Sequence, residues 1–184
     1  ELNAALLPAQ KLLVRVHAEL GEHEYSIQNG RRYLEREPGD DEVRIIVAQS
    51  MVRLAMFDDA MEMLEKIPEQ GRSVEALFAV GRVSMAQGDV EKAQKFMELA
   101  AAEKTHDPNI LNSLVAIYES QGELESGLNL LQEALEANPD SADLWHVSGL
   151  SQIRQKNLQE AQSAFEKAIE LDPLTVTVES VPLT

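Results

Sequence analysis

Residues of the same size class return along this chain every 34 positions, and no other feature restricts its fold as strongly. At that interval Ala161 is preceded by Gly127 and Ala93, and Ala168 by Ala134 and Ala100. Phe165 is preceded by Leu131 and Met97, and Gly149 by Val115 and Gly81. Gly122 follows Gly88, and Pro173 follows Pro139, at the same distance. A step of 33 then reaches Ala60, Leu64, Ala48 and Val47. A further 34 reaches Ser26, Val14 and Leu13, with Gly21 and Pro38 in the turn positions. The register defines five repeats, about 7–40, 41–73, 74–107, 108–141 and 142–174. Units of this length are single supersecondary elements that bury their apolar faces only by stacking on one another.

The residues between the columns say which element each unit contains. Apolar residues make up 44 % of the chain, enough for a core, and aromatics only 4 %. The remainder is rich in Ala, Leu, Glu, Gln and Met, which favour helix, and lacks the β-branched and tyrosine runs of a sheet protein. Spacings of three and four, as in Leu111, Leu114 and Tyr118, give each repeat a first helix with one apolar face. The small column at Gly81 and Gly149, facing the one at Ala93, Gly127 and Ala161, lets a second helix approach closely. A bulky residue there would overpack the pair by roughly 1–3 kcal/mol. Gly88-Asp89 and Gly122-Glu123 mark the turn inside a pair. Asp107 before Pro108 reads as an N-cap with proline at the first helical position. Asn157 with Glu160 has the capping-box spacing, and Pro139 and Pro173 stop second helices.

This pattern resembles the tetratricopeptide repeat, W-x2-L-G-x2-Y followed by A-x3-F-x2-A and P. The last repeat carries it as Trp145, Gly149, Ala161, Phe165, Ala168 and Pro173, with Ser148 and Gln152 in the Leu and Tyr slots. The fourth has Leu111, Leu114, Tyr118, Gly127, Leu131, Ala134 and Pro139. The resemblance implies an all-α protein, an α-solenoid of about ten helices in antiparallel pairs wound into a right-handed superhelix. It covers residues 1–174 as a single array. The first repeat departs from the pattern, with Gly30 in the large slot and Tyr33 in the small one, as though the Tyr33 ring filled the space left by Gly30. The second is cut short by Pro68.

Residues 175–184, after Leu174, alternate Thr, Val and Ser and read as extended chain. Three placements are open for this tail: a disordered terminus, a cap over the last helix pair, or a strand packed into a neighbouring molecule. Glu1-Leu2-Asn3 echoes Glu170-Leu171-Asp172 at the same phase, and no initiating methionine is present. The missing methionine reads as a mature product or an excised fragment, while the echo, with no capping helix after Pro173, suggests a piece of a longer array. Uncapped terminal repeats would allow self-association.

Little in the sequence carries chemistry. The formal net charge is −16, which disfavours nucleic acid and anionic membranes. There is no cysteine, hence no disulfide and no thiolate chemistry. No apolar run approaches the roughly 18 residues of a membrane span. The histidines are His17, His23, His106 and His146, and none has a second histidine at metal-binding helical spacing. His23, between Glu22 and Glu24, reads as part of a solvated turn. Asp40-Asp41-Glu42 and Asp58-Asp59 lie at predicted helix starts, where they suit the macrodipole. No catalytic residue, metal site or cofactor is expected, and the chain reads as a soluble non-enzyme of bacterial type.

What remains is the concave surface that the resemblance implies. In that family it is lined by first-helix residues at slots 2, 5, 6, 9, 12 and 13 of each repeat. Carried over, the polar candidates are Lys11, Arg15, Gln49, Arg53 and Arg82, then Asn109, Asn112, Glu119, His146 and Arg154. The apolar candidates are Phe78, Met85 and Leu150, with Ile45, Val52 and Ile153 beside them. Five of the sixteen basic residues fall on this surface of an acidic molecule. A basic stripe beside apolar pockets suits an extended peptide that carries carboxylates and bulky side chains. The alternative is that these cations only pair with acids one turn away. The chaperone-tail clamp of the family is excluded, because Arg15, Ile46, Glu75 and Ala79 occupy slots it needs for Asn, Lys and Arg. The expected function is a non-catalytic interaction scaffold or adaptor for a protein or peptide, an acidic one in the electrostatic version. The competing readings are a structural segment of a longer solenoid, of secretion or polysaccharide-export type, and a regulatory domain of a larger enzyme.

Overall fold

The structure, a computed structural model, describes residues 2–173, with side chains from residue 6 onward. The expectations for the tail and for the first three residues fall largely outside the described residues. Those described form ten α-helices and no strand. They divide into two compact units, Glu1–Ala100 and Ala101–Thr184.

Unit 1 holds α1 (Leu2–Glu19), α2 (His23–Leu34), α3 (Asp41–Arg53), α4 (Phe57–Glu65), α5 (Val74–Gln87) and most of α6 (Val90–Glu103). α1 packs on α2 and α3, and α3 packs on α4 and α5. The starts are capped as the residues dictate: Asp40 accepts from the Val43 amide and Ser73 from the Ala76 amide. Each such cap contributes about 1 kcal/mol. α4 is only nine residues long, ending before Pro68. Val14, Val43, Val47, Met51, Leu64 and Met97 are all fully buried. Truncating one of the larger ones to alanine would cost roughly 2–5 kcal/mol.

The small columns do what their size requires. A Cβ on Gly81 would lie 2.9–3.1 Å from Met97, so the backbone of α5 rests against that side chain. Gly30 inverts the arrangement. A Cβ there would meet Val47 Cγ2 at 2.1 Å and Val14 Cγ1 at 3.5 Å. The space in front of Gly30 is thus filled by two valines of α1 and α3, not by the Tyr33 ring as expected. Tyr33 is itself buried and donates its hydroxyl to Asp40 at 2.9 Å.

Unit 2 holds α7 (Pro108–Gln121), α8 (Leu124–Ala137), α9 (Ala142–Arg154) and α10 (Leu158–Leu171). α7 packs on α8 and α9, and α9 on α10. Asp107 caps α7 through the Asn109 and Ile110 amides, with Pro108 behind it, and Ser141 caps α9 through Leu144. Leu111, Ala134 and Leu144 form one core cluster, and Val115, Leu131 and Val147 another. A Cβ on Gly149 would sit 2.5 Å from the Phe165 ring. The expected capping box at Asn157 is absent. Its side chain makes no cap and instead donates to Gln152 at 2.9 Å.

The turn inside each pair needs a left-handed residue. Gly21, Gly88 and Gly122 supply it without strain at φ 74–81°. Ala55 and Lys156 hold the corresponding positions at φ 57° and 65°. For these two the Cβ crowds the following carbonyl oxygen, at roughly 1–2 kcal/mol.

Candidate functional site

Unit 1 contains a cleft of about 520 Å³ built from three successive first helices. From α1 come Arg15, Ala18 and Glu19, from α3 Glu42, Ile45, Ile46, Gln49, Val52 and Arg53, and from α5 Glu75, Ala79 and Arg82. His23 closes one side. Ser50 of α3 and Val83 of α5 also line it, and apart from Ser50 every α3 residue of the lining sits at a slot of the family's concave face. α1 contributes its last three slots and α5 its earlier ones, so the cleft crosses the helices on the diagonal. The floor is apolar, and the polar groups stand around it.

The electrostatics of the cleft turn on which cations are already neutralised. Lys11 lies 2.8 Å from both Asp40 and Glu42, and Arg15 pairs with Glu42. The hydrogen bonds to Asp40 and Glu42 raise the Lys11 pKa. In turn the bonds from the Lys11 ammonium and then Arg15 outweigh the opposing effect of burial and leave the Glu42 carboxyl below its usual range. Burial alone would raise Asp40, but bonds from Lys11, the Val43 amide and Tyr33 outweigh it and lower the pKa. Arg31, Arg44, Lys66, Lys92 and Lys95 each lie within 4.0 Å of a carboxylate. Arg53 and Arg82 do not: among the described residues neither makes an ion pair. Arg82 reaches solvent yet has protein on its flanks. Loss of solvation, and then repulsion from Arg53, lowers its pKa. Its guanidinium lies 5.9 Å from the Phe78 ring centroid, within cation–π range. Two adjacent guanidinium groups beside an apolar floor can grip a carboxylate bidentately.

The expected site residues separate accordingly. Arg15, Gln49, Arg53 and Arg82 line the cleft, with Ile45 and Val52. Lys11 does not, and its charge is spent on the α1–α3 lock. Phe78 and Met85 are half-buried and lie outside the lining. Glu42 and Glu75 belong to the lining and were absent from the sequence candidates, although slot 2 of each repeat points to them. His23 was read as part of a solvated turn. It is half-buried, and its Nδ1 is buried with no hydrogen-bond partner among the described residues.

Unit 2 treats its candidates differently. Arg154 pairs with Glu119 and donates to Asn112 Oδ1 at 3.3 Å. Glu119 also accepts from Ser151 at 2.6 Å and Gln155 at 3.3 Å. Three of the expected ligand residues thus hold one another across α7 and α9. His146 and Phe165 have ring centroids 5.5 Å apart, and burial lowers the His146 pKa. Leu150 is half-buried on the same helix. Among the described residues no group of three or more His, Asp or Glu could hold a metal ion. No helix among them is long and apolar enough to cross a membrane.

Two family models, both described as tetratricopeptide repeat, match residues 84–150 and 142–174. A chloroplastic tetratricopeptide repeat domain-containing protein of Arabidopsis thaliana, PYG7, is 25 % identical over 132 residues, 70 % of this chain and 44 % of that protein. Cellulose synthase operon protein C of Pseudomonas fluorescens is 24 % identical over 176 residues, 88 % of this chain but 14 % of that protein. This chain therefore spans less than half the length of either relative. Among solved structures, a thermophilic tetratricopeptide-repeat protein of Thermus thermophilus superposes with a TM-score of 0.77 at 18 % identity, covering 92 % of this chain and 93 % of that one. At that identity the likeness speaks for the fold. Such repeats are generally protein-interaction modules without catalytic function, built by stacking units whose curvature creates binding surfaces. The repeat period, the ten helices and these matches agree: the chain belongs to the tetratricopeptide-repeat family.

Proposed function

We propose that the chain is a non-catalytic scaffold whose unit 1 cleft docks an extended segment of another protein, one that presents a carboxylate between apolar side chains. The observation that carries this reading is the pair Arg53 and Arg82, adjacent in the cleft and unneutralised, where the neighbouring cations are paired. The cost of holding two like charges together is offset when an anion enters between them. Glu19, Glu42 and Glu75 also stand at the cleft, so a polyanion would be repelled at its ends. The preferred ligand therefore carries one acid at the arginine pair, with aliphatic neighbours over Ile45 and Val52.

The test is fluorescence anisotropy with a labelled apolar peptide bearing one central glutamate, against the same peptide with lysine. The glutamate peptide should bind more tightly, and the advantage should shrink as salt screens it. Arg53→Glu with Arg82→Glu should weaken it at least about tenfold, which is about 1.4 kcal/mol. Affinity for the glutamate peptide that survives the double reversal would sink the electrostatic reading.

A second reading is favoured by the long relatives. The match to cellulose synthase operon protein C covers most of this chain and little of that protein, which fits a structural segment of a larger array. A spacer would bind neither peptide.

A further inference from the structure

α1 carries an apolar stripe that none of the described residues covers. Leu6, Ala9, Leu13, Val16 and Leu20 follow one another at spacings of three and four, and all five are exposed. The Leu20 amide still bonds to the Val16 carbonyl at 2.9 Å, so the stripe runs to its end in helical geometry. Leu12 lies beside it. The five large side chains, Leu6, Leu12, Leu13, Val16 and Leu20, are each 45–67 % exposed. Together they make a patch of a few hundred Å², the size at which surfaces of monomeric proteins usually stop. The opposite face of α1 carries Lys11 and Arg15, already locked to α3, so the stripe itself is uncharged.

We propose that this face binds the same face of a second copy, with the two α1 helices antiparallel about a twofold axis. The spacing is the heptad a/d pattern, with leucine at every a position and Ala9 and Val16 at d, which is the seam of two-helix packing. An antiparallel register sets Leu13 against Val16 at the centre and the large Leu20 against the small Ala9 on either side. A parallel pairing would stack Ala9 on Ala9 and leave a void. The antiparallel flanks set Glu19 beside Leu12 and Gln10 beside His17, with no like charges in contact. A charged partner gains nothing from such a stripe. A second copy matches it in charge, shape and length. Two such faces amount to at most about 1,200 Å², the low end of specific interfaces, so the dimer is a weak, reversible one. The −16 charge on each copy opposes association at long range, so added salt tightens it.

Sedimentation equilibrium over a micromolar to millimolar series tests this. The expected result is a monomer–dimer equilibrium that shifts to dimer with salt, and a monomer throughout for Leu13→Glu with Val16→Glu, whose circular dichroism should match the parent. A parent monomeric at every concentration, or a double variant that still dimerises, overturns the proposal. Because the chain has no cysteine, register can be read directly. Leu13→Cys mixed with Val16→Cys should form the mixed disulfide faster than either forms it with an exposed control, Gln162→Cys. Equal rates overturn the antiparallel seam even if the glutamate variant misfolds. Flotation of the parent with zwitterionic vesicles, without self-association, would assign the face to lipid and overturn it as well.

Discussion

The inner helices of the two units start from the same kinds of residue and reach opposite electrostatic states. In unit 2, Arg154 meets Glu119 on the preceding first helix, and Asn112, Ser151 and Gln155 complete the contact. In unit 1, Arg53 has Arg82 as its neighbour on the next first helix, and among the described residues neither makes an ion pair with a carboxylate. A basic residue at a concave slot is therefore not by itself a ligand residue. What decides is the residue at the neighbouring slot one repeat away, acid or base. The same lesson holds inside unit 1, where Lys11 at a groove slot is consumed by Asp40 and Glu42.

The comparison can be broken or sharpened by substitution. The largest effect is expected where packing rather than charge differs. Gly30→Ala drives a Cβ into the stiff Val47 of unit 1 and should cost about 2 kcal/mol. Gly149→Ala meets the edge of the Phe165 ring in unit 2 and should cost a similar amount, within the same roughly 1–3 kcal/mol range. Denaturant melts of both variants check this, and a parent-like midpoint for either would show the close approach to be relaxed elsewhere. Next comes Glu119→Ala, which leaves Arg154 unpaired and removes the acceptor for Ser151. Unit 2 should lose about 1–3 kcal/mol. No comparable loss should follow Arg53→Ala, since no partner is orphaned.

Acid should separate the units too. The Asp40 and Glu42 pKa values are lowered on folding, so the stability they confer is full above their ordinary carboxylate values. It fades as pH falls through the lowered ones. Lys11, with its pKa raised, keeps its share until pH climbs through that raised value. Lys11→Met should therefore flatten the acid limb of the melting-temperature profile from the ordinary carboxylate values downward. His146 works in the opposite sense. Its lowered pKa means that protonation favours the unfolded chain, so unit 2 weakens as pH falls through and below 6.5, and His146→Gln should remove that part of the loss. The smallest expected effect is a gain. Ala55→Gly and Lys156→Gly relieve left-handed backbone and should each stabilise by about 0.5–1 kcal/mol, read as a higher melting temperature.

Much of the fold was legible in the sequence, because size columns at a fixed period translate directly into contacts between helices. Gly127 against Val115 is the expected meeting of the two small columns, whereas Gly81 and Gly149 rest on Met97 and Phe165 of the large column. Where a column reversed, as at Gly30, the sequence showed that the rule was broken but not which side chain compensated. Val47 lies a whole helix away. Asn157 misled for a local reason: Gln152 offered its amide oxygen a short reach back. The cleft was half legible. Slot counting finds its α3 wall, including Glu42, but pairing between repeats depends on side-chain reach, so the loss of Lys11 and Arg154 to carboxylates was invisible. So was Arg44, buried where later repeats place Leu77, Leu111 and Trp145, with its guanidinium on the Pro38 carbonyl.

The contrast between free and captured arginines is tested most directly by arginine side-chain NMR. With Nε–H resonances assigned, the glutamate-bearing peptide is titrated in. The Arg53 and Arg82 signals should move together and saturate, while Arg154, held by Glu119, stays where it is. Arg154 shifting as far as the other two, or Arg53 and Arg82 remaining still under saturating peptide, would contradict the assignment of the cleft.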